Sequence, residues 1–179
     1  MTDRDRYRRE QRLVALAMAL ALAITVAALA VAIEIDRHGA PPAFADRLRA
    51  MLRGELLVVV WLAAAIANVA RLRFFSPIDI AGSSAGDASP PVRQAGAILQ
   101  NTLEQVVLAL AAHLLLVATL DRSIAVLQVL VGLFCVGRLL FWIGYSRGAA
   151  GRALGFALTF YPSIAALLIA AGAAVAATR

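Results

Sequence analysis

"GRLLFWIGYSRGAAGR", residues Gly137–Arg152, decides how this chain is read. It continues an apolar run that suits a bilayer, yet it carries Arg138, Arg147 and Arg152. The last two sit at a turn, within reach of water. Arg138 falls seven residues before the expected end of the span at Tyr145. A charge at the bilayer centre costs about 2.5–3.5 kcal/mol even on the lenient insertion scale, so such a residue pairs, lines a wet cavity or serves a site. What Arg138 meets is therefore the central question.

The rest of the chain confirms a bilayer setting. Of 179 residues, 62% are hydrophobic and the mean hydropathy is +0.82, well above the roughly 45–50% apolar content of a soluble domain. All 17 basic residues are arginine, and 11 Asp and Glu leave a formal charge of +6. That excess suits anionic headgroups. Nucleic-acid binding is excluded by distribution, because most arginines stand at the ends of apolar spans rather than in a patch interleaved with aromatics. The one cysteine, Cys135, lies within an apolar span, so no intrachain disulfide forms and no metal cluster is suggested.

Five spans follow from the apolar runs. Leu13–Ile33 is a run of 21 residues with Thr25 as its one polar member, enough for a core of about 30 Å and longer than the roughly 7–15 residues of a secretory h-region. "PPAFADRLRAMLRGE" puts Phe44, Leu48, Met51 and Leu52 on one helical face and Arg47, Arg49 and Arg53 mostly elsewhere, which predicts an interfacial lead-in helix running into the next span. The remaining spans are about Leu56–Ala70, Ala95–Ala118, Ser123–Tyr145 and Ala153–Ala177. "SPIDIAGSSAGDASPP", Ser76–Pro91, has loop composition, and "TLDRS" is short enough to force an antiparallel hairpin. Pro162 is a candidate kink in the last span.

The arginines orient these spans. Arg4, Arg6, Arg8, Arg9, Arg12, Arg71, Arg73, Arg93, Arg147 and Arg152 fall on one side, ten in all, against Arg37, Arg47, Arg49, Arg53, Arg122 and Arg179 on the other. The positive-inside rule then puts the N-terminus in the cytoplasm, and the expected location is a bacterial inner membrane.

"QNTLEQ", Gln100–Gln105, supplies candidate partners for Arg138. On a helical wheel Gln94, Asn101, Glu104 and Gln105 fall within about 100°, and Arg138, Phe141 and Tyr145 within about 60° of one another. Glu104 lies about 16 Å past Arg93, and Arg138 about 14 Å before Arg147, so the two charges share depth on hairpin-connected helices. A Glu104–Arg138 pair is expected. It either fixes helix register or belongs to a site, and the surrounding Asn101, Gln105, Tyr145 and Arg152 offer more hydrogen-bonding capacity than one ion pair needs. His113 falls about 120° from Asn101 and reads as a packed or lipid-adjacent residue. Gly144 with Gly148, and Gly151 with Gly155, have the small-xxx-small spacing of close helix contacts, consistent with a closed oligomer.

Arg138, the aromatic Phe141, the pair Gly144–Tyr145 and Arg152, preceded by Asn101 and Glu104, together resemble the membrane-associated proteins in eicosanoid and glutathione metabolism, the MAPEG family. The resemblance covers about Leu56–Ala177. It implies an all-α integral membrane bundle: a four-helix core over residues 55–179, with residues 1–54 adding an N-terminal transmembrane helix and the lead-in helix. It further implies a homotrimer holding glutathione, as co-substrate, between neighbouring subunits. Asn101, Glu104, Arg138 and Tyr145 match glutathione-contacting positions, Arg71 or Arg73 stands near an arginine ending the family's first helix, and Arg152 matches the catalytic arginine proposed to stabilise the thiolate. Three positions depart: Ala97 and Gln105 replace an arginine and a tyrosine common in the enzymes, and Phe141 stands where Tyr is frequent. The implied activity is a glutathione-dependent transferase or peroxidase acting on an apolar electrophile or lipid hydroperoxide. A non-catalytic lipid-binding relative is the second reading and a purely structural bundle the third.

Overall fold

The computed structural model describes residues 2–38, 40–82 and 88–177, so Arg179 and the middle of the Ser76–Pro91 loop lie outside the described residues. Five helices account for nearly all of it: α1 Asp3–Arg37, α2 Phe44–Phe74, α3 Pro90–Thr119, α4 Ile124–Gly144 and α5 Gly148–Ala177, with a single 3-10 turn, Tyr145–Arg147, before α5. Four helical stretches are long and apolar enough to cross a membrane, the last being Ile124–Ala177 taken as one. That stretch doubles back at the 3-10 turn, where Gly148 has φ of 80° and lets the chain reverse without a Cβ clash. The bundle thus has five crossings' worth of helix, and the protein is an integral membrane protein.

Polar side chains cap two of the helix starts, those of α1 and α4. Thr2 and Asp5 form a capping box at the start of α1, with the Thr2 hydroxyl accepting from the Asp5 amide at 3.2 Å. These bonds hold the Asp5 carboxyl below its ordinary pKa, the Thr2 side chain contributing most. At the far end, Asp36 caps a different helix: its carboxylate accepts from the amides of Ala125 and Val126, at 2.9 and 3.0 Å, in the first turn of α4.

The lead-in segment departs from expectation. It does run into the next span as one continuous α2, as expected, but its rotation differs: Phe44 and Leu52 are exposed while Arg47 is buried. The Arg47 guanidinium turns inward, donating to the Pro42 carbonyl at 2.8 Å and lying 3.8 Å from Asp121. A loop carbonyl and a hairpin carboxylate outweigh the wheel position.

α4 and α5 pack most extensively on each other, α2 lies against α3 and α4, α3 also meets α5, and α1 leans on α5 and α4. The α4–α5 contact is so close that a Cβ on Gly144 would come within 2.0 Å of the Gly151 carbonyl oxygen, and one on Gly155 within 2.2 Å of the Phe141 amide. The glycine spacing expected to support an oligomer is therefore used inside the chain. α5 runs through Pro162 as one helix. Leu29, Ala32, Ala112, Leu116, Val126, Leu130 and Ala166 fill the end of the bundle where α4 begins. The opposite end, where α4 turns into α5, holds a cavity that polar as well as apolar side chains line.

Candidate functional site

The site begins with Arg138, which α4 carries to the middle of the bundle at 1% exposure. Glu104 is not its partner. Glu104 faces outward, exposed, and accepts a hydrogen bond from Gln100 Nε2 at 2.9 Å. Arg138 instead donates from Nη1 to Asn101 Oδ1 at 2.9 Å and from Nη2 to Thr159 Oγ1 at 2.7 Å. Its guanidinium carbon lies 4.5 Å from the Phe141 ring centroid and 5.9 Å from that of Phe134. A buried cation is thus accommodated by two neutral oxygens and two ring faces, the latter attractive through their quadrupoles. Shared depth suggested Glu104, but rotation about the α3 axis turns Asn101 inward and Glu104 out.

The column continues toward the turn. Phe141 and Tyr145 meet edge to face at 5.4 Å, and the Arg152 guanidinium carbon sits 4.7 Å over the Tyr145 ring. Phe134, Arg138, Phe141 and Tyr145 share one face of α4 and its turn because they are spaced by four, three and four residues. Arg152 joins them from the second turn of α5, brought back by the reversal at Gly148.

Asn101, Phe141, Tyr145 and Arg152 line a cavity of about 350 Å³, together with Ala97 and apolar residues of α1 and α5. Among the described residues no carboxylate pairs with Arg152, which is half-buried. The cavity therefore joins a stacked guanidinium and polar groups at one end to an apolar wall. It suits an anionic or polar head with an apolar neighbour. Ala97 faces the same space, so the positive charge that family enzymes often carry there is missing from this cavity itself.

Of the expected site residues, the structure gathers Asn101, Arg138, Tyr145 and Arg152 and leaves out two. Glu104 faces outward, and Arg71 is exposed at the end of α2, bonded to Asn68 Oδ1 at 3.0 Å beside a separate recess near Pro90, Pro91 and Gln94. Gln105 is buried, its Oε1 without a partner. Thr159 was missed, although a hydroxyl in an apolar span is its sequence signal.

A second polar pair was missed as well. Glu55 and His113 are 5% and 1% exposed and meet directly, Oε1 against Nδ1, between α2 and α3. His113 is therefore an ion-pair or hydrogen-bond partner rather than a lipid-adjacent ring. Among the described residues, no group of three or more His, Cys, Asp or Glu side chains is arranged to hold a metal.

This architecture defines a class: an all-helical membrane protein whose paired last helices bury one arginine and present another to a largely apolar cavity. The match to a family model agrees with it. The MAPEG family model covers residues 55–172, roughly two thirds of the chain, and the chain belongs to that family. Comparisons with curated proteins and with solved structures gave no match. The matched region contains α3, α4, Asn101, Arg138, Tyr145 and Arg152, whereas α1 lies outside it.

Proposed function

We propose that the protein is a membrane-bound glutathione-dependent transferase, acting on apolar electrophiles at the cavity beside Arg152. The observation that carries this reading is the half-buried Arg152 guanidinium, stacked on Tyr145 at the cavity wall without a carboxylate partner among the described residues. A free thiol has a pKa near about 8.5 and is mostly protonated at neutral pH. A guanidinium in contact favours the thiolate, and the start of α5 adds the positive end of its dipole. With a 2-alkenal, the thiol having given its proton to water, the thiolate attacks the β-carbon. The S–C bond forms, the C=C π pair shifts to join the α-carbon and the carbonyl carbon, the C=O π pair moves onto oxygen, and the enolate then takes a proton from water at the α-carbon.

Asn101 is already committed to Arg138, so Arg138 acts as a positioning residue that fixes the amide, and Asn101 offers its NH₂ to the peptide. Glu104, Gln100 and Arg71 contribute only across a subunit boundary. Glu104 supports that boundary, because an exposed carboxylate on the middle of a membrane helix is costly unless another protein surface covers it. A homotrimer with glutathione between subunits is the assembly proposed, with the N-terminus in the cytoplasm.

The lipid-binding, non-catalytic alternative draws on Ala97 and the apolar wall. Calorimetric titration of glutathione into the protein in lipid nanodiscs separates the two. Saturable binding in the millimolar range or tighter is expected; no heat at millimolar glutathione would leave the lipid-binding reading.

A further inference from the structure

The first helix does not lie flush along the bundle. From Ala21 to Ala32 its inner face is closed, with Ala21, Thr25, Leu29 and Ala32 buried at spacings of four, four and three residues. Thr25 leaves nothing polar open there, since its hydroxyl donates to the Ala21 carbonyl at 2.8 Å. One and two turns earlier the same face presents Met18 and Val14, and the fit opens: Met18 is 37% exposed and Val14 half-buried. The space so left is the cavity beside Arg152, for which Val14 and Met18 are one wall and Phe156 part of the opposite one. Beyond Met18 the α1–α5 contact closes, with Ala21, Ala157 and Leu158 packed in one buried cluster that sets the floor available to an occupant. Ala21 stands three residues, about 4.5 Å of helix rise, beyond Met18.

Helix α1 is held in this stance from both ends. Asp36 caps α4, and the Arg122 guanidinium donates to the Arg37 carbonyl. At the other end a Glu10 carboxylate oxygen accepts from the Ala149 amide at 3.3 Å, in the first turn of α5. A second recess of about 510 Å³, between Tyr7, Glu10 and Gln11, shares Val14, Met18 and Ala149 with the first, so α1 is flanked by open space on both sides at this level.

We infer that α1 is the specificity wall of the site: Val14 and Met18 receive the apolar chain of an amphipathic electrophile whose reactive carbon is held toward Arg152. This rests on the proposed glutathione chemistry. The polarity of the lining orients the occupant, polar end at Asn101, Tyr145 and Arg152 and apolar end along α1. Val14 and Met18 belong to the 21-residue apolar run, so the chain arrives from lipid. The floor at Ala21 sets a length limit, which selects medium-chain over long-chain 2-alkenals. Methionine suits a wall that meets several chains, because its unbranched thioether adapts to irregular shapes.

The test uses full-length protein in lipid nanodiscs and a chain-length series, 2-hexenal, 2-decenal and 2-hexadecenal, with glutathione. Met18→Trp fills the space, and Leu16→Trp, on the exposed face of the same helix, is the control. Met18→Trp is expected to lower kcat/KM for 2-decenal by about tenfold, the scale of a single pocket-wall contact, while 2-hexenal changes little and calorimetric glutathione binding is unchanged. It should also weaken binding of a fluorescent polyunsaturated fatty acid, and Leu16→Trp should do neither. If folded Met18→Trp keeps the wild-type chain-length profile and fatty-acid affinity, α1 is not the wall. If wild type binds no glutathione yet Met18→Trp still weakens the fatty acid, the transferase reading falls and the wall stands as a lipid-binding surface.

Discussion

The two ends of this bundle are made from the same kinds of residue and behave differently. Where α4 begins, charged groups are turned onto partners within the protein: Asp36 onto the first amides of α4, Arg47 onto the loop carbonyl of Pro42, and Glu55 onto His113. Leucine, valine and alanine pack between the helices there, and although α2 and α4 leave a recess of about 470 Å³ its lining is mostly apolar, so this is the end at which charge is closed off. Where α4 turns into α5, the guanidinium of Arg152 rests on an aromatic ring and faces a cavity. The difference teaches that an intramembrane charge is read by what it touches rather than by its presence. Arg138 stands between the two ends, with one bond from each terminal nitrogen and its buried Nε without a partner among the described residues, adjoining the open half.

The strongest way to break the comparison is at the closed end. Removing one member of the Glu55–His113 pair leaves its partner buried and unpaired, so Glu55→Leu or His113→Leu alone should cost about 3–5 kcal/mol, and the double mutant less than the sum. Thermal unfolding in detergent checks this. Additive losses would mean the two side chains act independently.

Arg138→Met keeps much of the stem volume but strips Asn101 and Thr159 of a charged donor. A loss of about 2–3 kcal/mol is expected, in the range of hydrogen bonds to charged groups. Combined with Asn101→Leu the losses should couple, whereas with Glu104→Leu they should add. Coupling to Glu104 would restore the ion pair suggested by the sequence. Asp36→Ala should cost about 1 kcal/mol, the typical value of a helix cap, and loosen α1 at the closed end. Hydrogen exchange at Ala125 and Val126 reports that directly.

Much of the fold was legible and less of the site. Each apolar run became a helix because length and hydropathy alone dictate a span, and the short "LDRS" link left α3 and α4 no choice but to reverse. The α4 spacing of Arg138, Phe141 and Tyr145 survives as a stacked column because all three lie on one helix, where 100° steps fix their relation. Relations between helices were not legible. Depth along the axis is readable from residue counts, but rotation is set by packing, and the close α4–α5 contact at Gly144, Gly151 and Gly155 brings Thr159 to Arg138 while α3 turns Glu104 outward. Glu55 was hidden for the same reason: its place in a helix running into the span was readable, but not the rotation that buries it against His113. The role of α1 was equally hidden, since its acidic anchors, Glu10 and Asp36, look like ordinary flanking charges.

The smallest expected effect concerns the loop at the open end. Asp79 accepts hydrogen bonds from the Ser76 hydroxyl and from the Ser89 amide, the latter at 2.9 Å, and these, with Ser76 foremost, hold its carboxyl below the ordinary value of 3.8. A depressed folded pKa means the stabilisation is fully present above the unfolded value and is lost as pH falls through the folded one. The difference in melting temperature between wild type and Asp79→Asn should therefore be present at pH 7 and vanish in strong acid. A difference that persists unchanged into strong acid would remove the carboxylate's charge from the explanation.

The contrast between a bonded and an unbonded arginine is tested most directly at the thiol. Ultraviolet titration of bound glutathione in nanodiscs reports the thiolate fraction against pH for wild type, Arg152→Leu and Tyr145→Phe. Arg152 is a permanent cation in the second turn of α5, whereas Tyr145 brings one neutral hydroxyl, and bonds to ionised groups are the stronger when both partners carry charge. The expected result is a thiol pKa lowered in wild type, restored toward its free value in Arg152→Leu, and little moved in Tyr145→Phe. An unshifted thiol in wild type, or a shift that survives Arg152→Leu, would contradict the account.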